Sequence, residues 1–130
     1  MNYAQARAYL LSKPEAIEDF PFGPDVAVMK IRDKMFATLS SAEGCARMNL
    51  KCDPAEAEML RDIFPAVIPG YHMNKRHWNT VELDGSIPDS EIQRMIDSSF
   101  ALVVGGLRLR DRQSLEIAHG TAAIYGRTGG

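Results

Sequence analysis

The sequence predicts an α+β fold, a two-layer sandwich in which helices cover one face of an antiparallel sheet. Three short runs that favour strands follow one another along residues 26–51, and only short links separate them. Two capped helix signals lie further on, with one more strand between them. Because short links join antiparallel neighbours and helices must bury their apolar stripes, the predicted order α-β-β-β-α-β-α indicates this architecture.

Residues 2–13 are expected to form the opening helix. Asn2 is a capping residue, with Gln5 three positions on, and Pro14 ends the pattern. The following segment is rich in proline and glycine and is predicted to be mostly loop, with Phe20 and Phe22 anchoring it on the core.

The three strand runs are residues 26–32, 35–40 and 45–51, with short links that favour hairpins. In the third run apolar and polar residues alternate. Ala46, Met48 and Leu50 are predicted to face the core, and Arg47, Asn49 and Lys51 the opposite side. A sheet with one buried face and one face open to solvent follows from this alternation.

Residues 53–64 carry the strongest helix signal. Asp53 stands at the cap and Pro54 at the first position, and the predicted apolar stripe consists of Met59, Leu60, Ile63 and Phe64. A strand beginning at Trp78 comes next. The last strong element is a helix from about 88 to 104, which ends at a glycine pair; its predicted buried face is Ile92, Met95, Ile96, Ser99 and Val103.

The 130 residues fit one domain, which we place at residues 1–110. Residues 111–130 show no sustained period and end in a stretch rich in Gly, Thr and Ala. We therefore expect this tail to be frayed or disordered.

Composition predicts a cytoplasmic monomer with no membrane association. No apolar run approaches the roughly 18 residues of a membrane span, and the N-terminal residues lack signal-peptide features. The two cysteines suit a reducing compartment. The net charge of −2 means that any binding of nucleic acid must use a local basic patch.

The stretch "PGYHMNKRHWNT", residues 69–80, is the most distinctive in the chain. Together with "FPFGPDVAVMKIRDKMFATL" and "DSSFALVVGGL", it resembles the MmcQ/YjbR family of small bacterial proteins over residues 20–107. The resemblance implies a CyaY-like fold, shared with the frataxins, and DNA binding through a double-wing arrangement of hairpins. The tail after about Asp111 looks unlike the family pattern.

Metal binding and catalysis are not predicted. His72, His77 and His119 with Cys45 and Cys52 are metal-ligating types, but no CxxC, HxxxH or HExxH spacing occurs. Residues 2–13 contain no acid, unlike the acidic first helix of frataxins. No nucleophile or acid/base pair stands in a recognisable motif, so we expect a non-enzyme without cofactor or metal.

The candidate site is the open sheet face and the basic segments beside it, which suit stacking on bases and phosphate contact. Its residues are Lys34, Arg47, Lys51, Asn74, Lys75, Arg76, His77 and Trp78. In the competing interpretation Trp78 packs under the "GYHMNK" loop, and the cations only keep the sheet soluble. The predicted partner is DNA; the alternative is a protein that docks on the same face.

Overall fold

A computed structural model describes residues 1–42 and 44–126. It contains a six-stranded, wholly antiparallel sheet in the order β1-β2-β3-β4-β6-β5. The strands are β1 (Ile17–Asp19), β2 (Val26–Ile31), β3 (Lys34–Ala42), β4 (Cys45–Lys51), β5 (Val67–Pro69) and β6 (Trp78–Glu82). Helices contact one face of this sheet, and the predicted α+β two-layer class is confirmed.

The helices are α1 (Tyr3–Leu11), α2 (Pro54–Ile63), α3 (Asp89–Gly105), α4 (Leu109–His119) and α5 (Thr121–Tyr125). The predicted capping box of α1 is present, since Asn2 and Gln5 exchange side-chain and backbone hydrogen bonds. Asp53 caps α2 by accepting from the amides of Ala55 and Glu56. The predicted face of α3 is buried in full, and Phe100 extends it to an edge-on contact with Phe36 of β3.

The β2–β3 turn and a neighbouring bulge shape one end of the sheet. Arg32 and Asp33 form the turn with positive φ, as tight hairpins require, so the turn lies one residue earlier than the sequence predicted. In the bulge Phe36 has no partner on β2, and it turns into the core beside Ala37. The hydroxyl of Ser99 donates to the freed carbonyl of Phe36 and accepts from the amide of Lys51.

Two short strands were not predicted. β1 falls in the segment expected to be loop, and β5 extends the sheet beyond β6. The expectation that Phe20 and Phe22 anchor this segment on the core was wrong. Their side chains are 45% and 74% exposed, because the pairing of β1 with β2 already holds the segment.

The predicted frayed tail is corrected over most of its length. Residues 109–125 form α4 and α5, and Leu115 and Ile124 are buried in the main core. Gly120, with φ of +83°, separates the two helices, so their buried residues share no single period. Residues 127–130, the end of the predicted tail, lie outside the described residues.

The predicted apolar stripe of α2 is only partly buried. Leu60 and Ala57 face the core, whereas Met59 and Ile63 are 51% and 56% exposed. Among the strands, α2 contacts mainly β5 at the edge of the sheet. Its contact with the core is therefore narrow and uses Ala57 and Leu60. None of the described helices is both long and apolar enough to cross a membrane.

Candidate functional site

The face of the sheet opposite the helices, here called the outer face, presents polar pairs along β4 and β6. Met48 and Leu50 point to the core, so the residues between them point outward, as predicted. The cross-strand pairs on the outer face are Arg47–Glu82, Asn49–Thr80 and Lys51–Trp78. Because direct partners have Cβ atoms about 5 Å apart, each pair forms one local surface.

The β5–β6 loop, residues 70–77, folds tightly against the start of β6. The amide of Gly70 donates to the carbonyl of Trp78 over 3.0 Å. A Cβ atom on Gly70 would stand 2.9 Å from both the Cβ atom and the carbonyl oxygen of Trp78. Only glycine therefore fits where the chain passes Trp78, which accounts for the Pro-Gly at the start of the segment.

A short hydrogen-bond chain holds the loop over the outer face. The amide of Tyr71 donates to Oγ1 of Thr80 at 2.9 Å, and Thr80 in turn donates to Oδ1 of Asn49. The Asn49 amide group donates back to the Tyr71 carbonyl at 3.5 Å. Thr80 is fully buried as a result, although its strand position points away from the helices.

Ion pairs divide the basic side chains into two groups. Those in ion pairs are Arg7, Lys13, Lys30, Arg32, Arg94, Arg108 and Arg112. Within residues 1–42 and 44–126, the basic side chains without an ion pair are Lys34, Arg47, Lys51, Arg61, Lys75, Arg76 and Arg110. Four of the second group lie on the outer face or in the loop above it, so free positive charge is concentrated there.

Arg47 and Lys51 are the cations on the sheet itself. They flank Asn49 on one strand, two residues to either side, and both are half-buried. The Nε atom of Arg47 is buried and has no hydrogen-bond acceptor within the described part of the chain. A buried donor is normally bonded, so Arg47 has unused capacity to bind an anion or water.

The structure separates Lys34 from the other candidate residues. Lys34 pairs with Ile31, a core residue, so its side chain starts on the helix-facing side of the sheet. It lines a depression together with Gly106, Arg108 and Asp111. The bulge at Phe36 explains the separation, because an extra residue reverses the in–out parity of β3.

Asn74 and Lys75 have roles inside the loop. Oδ1 of Asn74 accepts from the amide of Arg76, and its carbonyl accepts from the amide of His77. The Lys75 ammonium donates to the Gly70 carbonyl at 3.2 Å. Of these loop residues, Arg76 is exposed and its guanidinium has no hydrogen bond or ion pair to the described part of the chain, and His77 is half-buried.

Trp78 both contacts the β5–β6 loop and keeps part of its side chain exposed, so each of the two interpretations drawn from the sequence holds in part. Its Cβ atom and backbone contact the loop at Gly70, yet its side chain is only partly buried, beside Lys51. Tyr71 and His72 were missed as surface residues. Tyr71 is 58% exposed, and its ring lies 4.1 Å from the His72 ring at 50°. The only sequence feature that pointed to Tyr71 and His72 was their adjacent position within residues 69–80.

The residues that could bind a metal, and the two cysteine thiols, form no reactive site in the described part of the chain. Among the described residues, His, Cys, Asp and Glu form no group of three or more that could hold a metal ion. Cys45 and Cys52 are both free thiols. Burial raises the pKa of Cys52 to about 11, so its thiol stays protonated and weakly nucleophilic near neutral pH.

Comparison with known proteins identifies the family. The YjbR family model matches residues 11–102. The YjbR protein of Escherichia coli, described as uncharacterized, is 35% identical over 115 residues, covering 88% of this chain and 98% of that protein. The uncharacterized YbdF of Escherichia coli is 40% identical over 94 residues, 72% of this chain and 77% of that protein.

The chain belongs to the YjbR family.

Solved structures agree with this assignment. Protein DR2400 of Deinococcus radiodurans, described as a DUF419 domain, superimposes with a TM-score of 0.81 at 32% identity, over 88% of this chain and 87% of that one. A protein from Pseudomonas syringae gives 0.70 at 34% identity, over 78% of this chain and 98% of the other. The YjbR match spans every strand and ends within α3, so α4 and α5 lie outside the part matched by the family model.

Proposed function

We propose that this YjbR-family protein binds nucleic acid through its outer face and the β5–β6 loop. The observation that supports this most directly is the distribution of charge. Arg47, Lys51 and Arg76 are free of acidic partners in the described residues, whereas most cations elsewhere are neutralised. Phosphate contact by Lys and Arg supplies much of the affinity for nucleic acids, and paired cations contribute less.

The local charge is positive although the chain is acidic overall. Glu82, opposite Arg47, is the acidic residue within the three polar pairs of β4 and β6, and no ion pair joins the two. At the far edge of the sheet Asp19 neutralises Lys30 at 2.8 Å. On this side of the sheet the unpaired cations therefore lie on β4 and in the β5–β6 loop. In this proposal the protein acts in the cytoplasm as a monomer, without cofactor or catalysis.

Titration of labelled DNA and RNA at low and moderate salt tests the proposal. We expect binding that weakens steeply with salt. The variant Lys51→Ala with Arg76→Ala should weaken binding and reduce the salt slope by about 1.5, since each phosphate contact contributes roughly 0.7–0.9. Lys75 is left unchanged because its ammonium bonds to the loop.

Arg110→Ala provides the matched control. Arg110 is exposed on α4 and forms no ion pair in the described residues, so its removal lowers the positive charge away from the outer face. It should leave affinity nearly unchanged. An equal loss in Arg110→Ala, or no binding even at low salt, contradicts the proposal.

A second candidate is the docking of a protein partner on the sheet, supported by the apolar side chains near β1. Ile17 and Phe22 are 63% and 74% exposed. Exposed apolar side chains mark a protein contact where they form a contiguous patch, so these two residues are the ones to test. A pull-down after nuclease treatment, with wild-type protein and Phe22→Ser, tests it: a partner that survives nuclease and is lost with Phe22→Ser supports docking, and the absence of any such partner opposes it.

A further inference from the structure

We infer that the outer face takes single-stranded rather than double-stranded nucleic acid. This inference rests on the proposed function and specifies its ligand class. It follows from the shape of the surface, from the lack, within the described residues, of free cations at the hairpin tips, and from the aromatic residues beside the cations.

In residues 1–42 and 44–126 the helices pack on the other face of the sheet, so the outer face carries no helix that could enter a duplex groove. The cross-strand row that runs over the middle of the outer face, from β2 to β6, holds mostly small side chains. Of these, Val28, Thr38 and Thr80 are 1%, 7% and 0% exposed. Hydrogen bonds of the Tyr71 backbone to Asn49 and Thr80 hold the start of the loop against the sheet. A duplex groove is read by an inserted helix or two-stranded ribbon, whereas a single strand can lie across a sheet.

The hairpin tips are poorly equipped to act as wings on a duplex. At the β2–β3 tip the guanidinium of Arg32 is bound to Glu15 at 3.0 Å and Asp111 at 3.4 Å. Lys34, next to it, lies on the helix-facing side of the sheet. The end of β3 and the link to β4, residues 41–44, contain no basic residue in their sequence. Neither tip therefore offers a free cation on the same side as the outer face.

Aromatic residues and cations lie close together on the remaining surface. Trp78 lies opposite Lys51, and the Tyr71 backbone is held at Asn49, which stands between Lys51 and Arg47 on β4. The Tyr71 side chain itself is exposed. Bases of a single strand are free to stack on such rings while neighbouring phosphates contact the cations. In a duplex the bases are already stacked on one another and cannot use Tyr71 or Trp78. The chemistry applies equally to DNA and RNA.

Fluorescence anisotropy with labelled oligonucleotides of about 12 nucleotides, within the usual range of site sizes, tests the inference. The ligands are a single-stranded oligothymidine, a single-stranded oligouridine and a duplex DNA of equal length. We expect either single strand to bind at least about 10-fold more tightly than the duplex. The ratio of the dissociation constants for oligothymidine and oligouridine shows whether DNA or RNA is the preferred ligand.

Tyr71→Ala and Trp78→Phe sharpen the test. Tyr71→Ala should weaken single-strand binding about 10-fold, as expected for the loss of one stacked base, and leave duplex binding within about twofold. Trp78→Phe should retain most of the affinity, because a ring remains. Arg110→Ala is again the control. Tyr71 is exposed, so its replacement is not expected to unfold the protein.

The outcomes separate this inference from the proposed function. Duplex binding as tight as single-strand binding, with no effect of Tyr71→Ala, overturns the inference and leaves the proposed function standing. Absence of binding to all three ligands at low salt overturns both. Selective binding of a single strand that depends on Tyr71 supports both.

Discussion

Lys51 on β4 and Trp78 on β6 are direct cross-strand partners on the outer face, and Lys51 forms no ion pair within the described residues. Trp78 is also the only tryptophan of the chain, so its fluorescence reports on this one location. An unpaired cation raises the local concentration of anions. We therefore expect the iodide-to-caesium quenching ratio of Trp78 to exceed that of free N-acetyltryptophanamide under the same conditions. Lys51→Gln should narrow the difference, which Stern–Volmer plots measure.

The matched control for that measurement is Arg110→Gln, which removes one positive charge from α4. It should leave the iodide-to-caesium ratio as in the wild type. A wild-type ratio no higher than that of free N-acetyltryptophanamide, or one that Lys51→Gln leaves unchanged, would show that Lys51 does not set the potential at Trp78.

Gly70 is expected to be irreplaceable in the β5–β6 loop. Gly70→Ala would place a Cβ atom 2.9 Å from two atoms of Trp78 and 3.0 Å from the Cβ atom of Met73. Overpacking of this kind costs about 1–3 kcal/mol of unfolding free energy. Urea denaturation measures it, and the Trp78 emission maximum should shift as the loop moves.

Gly105→Ala is the control for Gly70→Ala. Gly105 ends α3, and a Cβ atom there meets nothing within 4 Å. Its replacement should be neutral or stabilise by about 0.5 kcal/mol, because alanine favours the helix. If Gly70→Ala were as well tolerated as Gly105→Ala, the close contact with Trp78 would be wrong.

Local sequence rules correctly predicted which side chains of β4 point away from the core. Alternation on β4 indicates that Arg47 and Lys51 point to the outer face. β6 is regular from Trp78 onward, so Trp78 lies on the same face as its partner Lys51. The sequence predicted Lys34 at the tip of the first hairpin, beside this face. The bulge at Phe36 reverses the parity of β3 and puts Lys34 on the helix-facing side, and the sequence carries no glycine or other sign of that bulge. Tyr71 was missed because its exposure depends on hydrogen bonds between distant segments.

Ser99 is predicted to stabilise the join between β3, β4 and α3. Ser99→Ala would remove the hydroxyl that serves both the Phe36 carbonyl and the Lys51 amide, and would leave these groups unpaired. An unsatisfied buried polar group costs about 1–3 kcal/mol. Chemical denaturation should show a loss of at least this size. Ser98→Ala, on the same helix and with no side-chain hydrogen bond in the described residues, should change stability by less than about 0.5 kcal/mol.

The C-terminal helices show where sequence rules fail for the fold. α1 and α2 have caps, and α3 has a long apolar face, so these helices were found from local signals. α4 lacks a side-chain cap and buries only Leu115. Its place is determined by packing with α5, which itself packs on α3, and by ion pairs to the rest of the chain, which no local pattern reveals.

Leu115 gives a direct test of that packing. Leu115→Ala should lower the free energy of unfolding by about 2–5 kcal/mol, the usual effect of truncating a fully buried leucine. Ile117→Ala, two residues later on the same helix, removes a side chain that is 86% exposed and should change stability by less than about 0.5 kcal/mol. Thermal denaturation compares the two. Similar effects for both would indicate a frayed tail, as the sequence first predicted.

Glu15 couples α4 to the β2–β3 turn in a way that depends on pH. Its carboxylate contacts Nε2 of His119 at 2.7 Å and Nε of Arg32 at 3.0 Å. The hydrogen bonds from His119 and from Arg32 hold the pKa of Glu15 below its ordinary value of 4.5. A lowered pKa means that the folded state favours the ionised form. The contribution to stability is therefore present above pH 4.5 and is lost as the pH falls through the folded-state pKa.

Glu15→Gln should consequently be less stable than the wild type near neutral pH, by less than about 1 kcal/mol because the group is partly exposed. The difference should shrink as the solution is made more acidic, since the wild-type carboxyl then becomes neutral as well. Urea titrations at several pH values between about 7 and 3 measure it, across the range in which carboxyl groups titrate. Asp25→Asn removes an exposed carboxylate that has no ion pair in the described residues, and serves as the control. A pH-independent difference for Glu15→Gln would mean that the carboxylate does not hold α4 to the turn.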